Sequence, residues 1–174
     1  GIPQQVEGYA VEIVIAENGS CQPATQAFYA QLSQERRVKI CTWTQPFNYS
    51  LINNFAVEHA TGDVLLFLNN DIEAINDDWL ARMLEHALRP QIGCVGAKLL
   101  YPDRTIQHAG IILGIGGVAG HSHKYFPAEA DGYFGRLKVI QNISAVTAAC
   151  LMVRRGVFTA VGGFDPDFQL AFGD

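Results

Sequence analysis

The chain has 174 residues, 49% of them hydrophobic and 17% charged, which suits a folded domain with a real core and excludes a disordered segment. Net charge is −5, and basic residues cluster no further than pairs such as Arg36-Arg37 and Arg154-Arg155, so no nucleic-acid partner is expected. No apolar run approaches the ~20 residues that a helical membrane span requires.

In chain order, residues 11–16 form a β-branched run that ends in Glu17-Asn18-Gly19-Ser20, a strand entering a turn. Residues 23–33 read as a helix with Pro23 near its start. A strand over 37–42 and a helix over 48–59 follow. Residues 63–68 are a third strand. A third helix is predicted over 76–89, with Asn76 as its cap, Asp77 and Asp78 in its first turn and Pro90 as its stop. Up to this point strand and helix alternate at the spacing that parallel pairing needs. Beyond Pro90 the pattern changes. Residues 92–100, 106–113 and 145–153 read as strands, and 155–161 as a short helix. The Gly- and His-bearing stretch 114–133 resists assignment. No internal repeat or linker is visible, so one domain is expected. The cysteines Cys21, Cys41, Cys94 and Cys150 form no CxxC pair. Cys94 and Cys150 lie in apolar segments and are expected to be buried free thiols in a reducing compartment.

The third strand carries the most chemistry. Leu65-Leu66-Phe67-Leu68 gives way to Asn69-Asn70-Asp71, so a buried strand delivers an acid at its carboxyl end. Ligands of open α/β sheets bind there, and such an acid can hold a hard cation together with substrate phosphates. The plain alternative is that Asp71 only stabilises a turn.

Four segments, EIVIAENGS at 12–20, NNFAVEHATGD at 53–63, VLLFLNND at 64–71 and TAACLMVRRGVFTAVGGFD at 147–165, precede a terminal FGD at 172–174. In this order and spacing they resemble the family 2 inverting glycosyltransferases. The resemblance implies an α/β fold of GT-A type, a mostly parallel, Rossmann-like sheet flanked by helices. It also implies that residues 1–174 are a single, partial catalytic domain, truncated at both ends, whose isolated form binds donor weakly. The donor is a nucleotide-diphosphate sugar, and the acceptor a glycan or lipid-linked saccharide. The setting implied is cytoplasmic, at the inner face of a bacterial membrane, with peripheral membrane association confined to the full-length protein.

By the same resemblance Asp71 is the protein ligand of Mg²⁺ or Mn²⁺, and Asp174 is the general base. Glu17, Asn53, Asn54, Asn69 and Asn70 lie at the donor nucleotide. Glu73, Asp165 and His108 support the site or face the acceptor. Three departures stand out: Asn69 where the family has an acid, Glu17 where Asp is more usual, and Asn53 where Arg is usual. The alternatives are a sugar nucleotidyltransferase and a sugar- or nucleotide-binding module without chemistry. Without the resemblance, Glu17 is a solvated acid and Asp174 a terminal one. His121 and His123 would face one side of a strand, as acceptor-site or structural residues rather than zinc ligands. Gly114 to Ala119 fits GxGxxA loosely, but no helix can start after it, so it reads as a flexible loop.

Overall fold

The computed structural model describes residues 2–168. They form two compact units. Unit 1 takes residues 1–65 and 154–174, and unit 2 takes residues 66–153.

Unit 1 opens with a small hairpin that sequence periodicity could not show, β1 (Gln5–Val6) and β2 (Tyr9–Ala10), paired antiparallel. Its turn residues Glu7 and Gly8 both have positive φ, as tight hairpin turns require. β3 (Ile13–Glu17) leads to α1 (Pro23–Leu32), where Pro23 occupies the first helical turn and none of the residues is buried. β4 (Val38–Thr42) returns parallel to β3, with Ile13 opposite Val38 and Glu17 opposite Thr42. α2 (Tyr49–His59) begins at Asn48, whose side chain accepts the Leu51 N–H at 2.9 Å. That bond satisfies one of the donors orphaned at a helix start.

The chain leaves unit 1 within β5 (Val64–Leu68), which buries Leu65 and Phe67 at alternate positions. In unit 2, α3 (Trp79–Ala87) buries Leu80, Met83, Leu84 and Ala87, one face at helical spacing. Asp78–Arg82 and Glu85–Arg89 ion pairs lie on its exposed side. The helix is shorter than the expected 76–89. Asp78, not Asn76, is its cap position, and the Asp78 carboxylate is taken by Arg82 instead of the helix N–H groups.

The run at 92–100 divides into β6 (Cys94–Gly96) and β7 (Leu99–Leu100), and the run at 106–113 into β8 (Ile106–His108) and β9 (Ile111–Leu113). β10 (Ala119–His121) pairs antiparallel with β9, and β8 with β7. Residues 114–118 are the tight turn of the β9–β10 hairpin, closed by Gly114 N–H donating to Val118 at 2.9 Å. β11 (Cys150–Arg154) lies between β5 and β6, antiparallel to β6, and carries the chain back to unit 1 and α4 (Arg155–Ala160).

Among the described ladders, β3–β4 is parallel and four are antiparallel. The architecture is therefore α/β with mixed pairing. Cys150 is buried, as expected, with its Sγ 3.8 Å from Met83 Sδ. Cys94 is exposed, against expectation, because β6 is only three residues long and Cys94 is its first. Among the described residues no helix is long and apolar enough to cross a membrane.

Candidate functional site

In unit 1, Glu17 ends β3 at the carboxyl end of the parallel pair. It is not a solvated acid: only 8% of the residue is exposed, and its Oε1 accepts the Ser20 N–H across the turn. Asn18 braces the same turn, donating from Nδ2 to Trp43 O at 3.0 Å and Gln45 O at 3.2 Å. The turn and the exit of β4 are thus tied together where nucleotide ligands of α/β sheets sit.

Asn53 and Asn54 lie on α2. Asn53 Nδ2 donates to Tyr49 O at 2.8 Å, one turn back along its own helix. Asn54 Nδ2 donates to Phe164 O at 2.8 Å, and its Oδ1 accepts the Phe164 N–H at 2.9 Å. The family resemblance implies a place near the nucleotide for Asn54, and its amide is engaged on the Gly163-Phe164 turn. Asp165 accepts the Asp167 N–H at 3.0 Å and so shapes its own turn.

In unit 2, Asn69 follows β5 directly, and its N–H donates to Ala149 O at 2.9 Å. Asn70 and Asp71 form an exposed turn, and Glu73 is exposed two residues on. The buried strand therefore ends in an accessible carboxylate, as the apolar-to-polar switch predicted. His108 is 1% exposed and does not reach the surface. Its Nδ1 lies 2.9 Å from His121 Nδ1, and its Nε2 accepts the Thr147 N–H at 3.4 Å. His121 and His123 do not share a strand face. β10 ends at His121, and His123 has φ +55° and bonds to the Ser122 hydroxyl at 2.5 Å. Asp174 lies outside the described residues.

The sequence reading missed Asn48, Ser50 and His121 as partners in these arrangements. Asn48 was findable, since Asn before an apolar helical run is a cap signal. The others depend on contacts distant in sequence.

The model of glycosyl transferase family 2 matches residues 2–162. The chain belongs to glycosyl transferase family 2. Three curated proteins are similar to it. An uncharacterized protein, y4gI, of Sinorhizobium fredii is 48% identical over 94% of this chain and 18% of its own length. The O-antigen biosynthesis protein RfbC of Myxococcus xanthus is 43% identical over 94% of this chain and 13% of its own. The succinoglycan biosynthesis protein ExoM of Rhizobium meliloti is 29% identical over 91% of this chain and 50% of its own. The chain thus spans at most half the length of these relatives.

Among the described residues no three His, Cys, Asp or Glu side chains converge as a metal group. An exposed Asp71 fits the other arrangement, in which one carboxylate shares Mg²⁺ or Mn²⁺ with water and substrate phosphates.

Proposed function

We propose that this chain is the donor-handling catalytic part of an inverting glycosyltransferase. It moves a sugar from a nucleotide-diphosphate sugar to a hydroxyl of a glycan or lipid-linked saccharide in bacterial polysaccharide synthesis. The observation that carries the reading is the exposed Asn70-Asp71 turn directly beyond buried β5, in a chain matched to the family over residues 2–162. The printed names of the Myxococcus and Rhizobium relatives support the polysaccharide setting. The GT-A arrangement with a mostly parallel sheet, and work at the cytoplasmic face of the membrane, belong to the same proposal.

Asp71 would hold a divalent cation, which when bound supplies charge stabilisation for the departing diphosphate. Asn69, neutral where the family has an acid, contributes hydrogen bonds but no charge. Asn70 and Glu17 serve the nucleotide side, the latter on a turn whose fixed geometry costs no ordering when the donor arrives. Glu73 supports Asp71. Asp174 takes the proton of the attacking hydroxyl. With one base and no enzyme nucleophile, displacement is direct and the anomeric centre inverts.

Neutral Asn69 also favours a second reading, a sugar-nucleotide-binding module without turnover. Turnover assays on the whole protein with UDP-, GDP- and dTDP-sugars separate the two. Transfer that falls in Asp71→Ala and Asp174→Ala supports the enzyme, and binding without transfer supports the module.

A further inference from the structure

The segment after α4 is fastened to α2 by polar side chains. Phe164 is held at both its N–H and its carbonyl by Asn54, at 2.9 and 2.8 Å. Two residues on, the Pro166 carbonyl accepts from Asn48 Nδ2 at 3.0 Å. Two further on, the Phe168 carbonyl accepts from Ser50 Oγ at 3.2 Å. Asn48 and Ser50 are 7% and 5% exposed. Asn48 works twice, since its Oδ1 also caps α2.

Gly163 has been shaped to this contact. Its φ is +79°, and a Cβ placed on it would lie 2.8 Å from Asn54 Oδ1. Any larger residue would push the clasping amide away and also strain the backbone. The Phe164 ring lies 5.3 Å from Phe158 and 6.0 Å from Tyr49, centroid to centroid. Apolar contact of that kind would bury the ring without fixing its main chain. The amide pair adds what the ring contact lacks: two bonds to one residue's main chain set both its height along α2 and its rotation.

We propose that Asn54, with Asn48 and Ser50, is a positioning clasp. It sets Phe164 to Phe168 in one register, and so delivers Asp165 in one arrangement. This rests on the glycosyltransferase reading. It makes Asn54 a residue that acts on catalysis through the main chain it holds, not through contact with the nucleotide.

The test uses the whole protein and compares Asn54→Ala, Gly163→Ala, their double variant and Ser50→Ala. The expected result is a fall in kcat of tenfold or more in Asn54→Ala and Gly163→Ala, with donor KM within twofold of the unaltered protein. The double variant is no worse than the weaker single, because both break one device. Ser50→Ala, which loses one bond, shows a smaller fall with the same split and serves where the others fold poorly. Amide exchange at Phe164 accelerates in Asn54→Ala. Unchanged kcat, or a raised donor KM at unchanged kcat, overturns the proposal. So does additivity in the double variant. Absence of turnover in the unaltered protein overturns the glycosyltransferase reading and with it the positioning role, while the exchange rate at Phe164 separately decides whether the clasp exists.

Discussion

Two residues outside the proposed chemistry carry sharp consequences. Glu12 gathers four donors: the Thr61 N–H, the Thr61 hydroxyl at 2.9 Å, the Gly62 N–H at 2.8 Å and Lys39 Nζ at 3.0 Å. Burial pushes its carboxyl up, but these bonds outweigh burial and hold it at about 2, against an ordinary 4.5. A carboxyl held below its unfolded value contributes stability that is complete above about pH 4.5 and drains away as pH falls towards 2. Glu12→Gln should therefore cost roughly 1–3 kcal/mol at neutral pH. The gap to the unaltered chain should close between pH 4.5 and 2 in urea unfolding curves. His108 gives a second expectation. Because its Nε2 accepts from Thr147, its Nδ1 carries the proton and donates to His121. Nitrogen NMR should find His108 as the neutral Nδ1–H tautomer, and a protonated Nε2 would contradict the network. His108→Phe leaves two partners unpaired and should cost about 2–4 kcal/mol.

At the scale of elements, close approach sets the tolerance. A Cβ on Gly96 of β6 would lie 2.6 Å from Val146 Cβ, so Gly96→Ala overpacks and should lower stability by about 1–3 kcal/mol. Val146→Ala in the same chain should recover part of that loss in thermal unfolding. The long periodic elements were legible in the sequence because one-sided burial writes itself into spacing, as at Leu80, Met83, Leu84 and Ala87 of α3. The ends of α3 were not legible, since Asp78 had two possible uses and took the ion pair with Arg82. The β1–β2 hairpin was invisible because two-residue strands carry no period. The runs at 92–100 and 106–113 looked continuous, yet each holds two short strands, the second divided next to Gly110 at φ +101°. Of the candidate site, the exposed acid after β5 was legible as an apolar-to-polar switch. The engagement of Asn54 was not, because its partner Phe164 is 110 residues away.

Across the whole molecule, the chain passes from unit 1 to unit 2 within β5 and returns within β11. Glu17 and the clasped 164–168 segment lie in unit 1, and Asp71 and Glu73 in unit 2. Glu17→Gln should raise donor KM with little effect on the Mn²⁺ concentration that gives half-maximal rate, whereas Asp71→Asn should shift the metal requirement. On the proposed function, Asp71 at the end of β5 serves metal-assisted sugar transfer. Its most direct test is the rate of transfer from a nucleotide-diphosphate sugar by the whole protein, measured across a Mn²⁺ titration for the unaltered form and Asp71→Ala. The expected result is metal-dependent transfer that falls about 100-fold or more in Asp71→Ala. Transfer undiminished in that variant would contradict it.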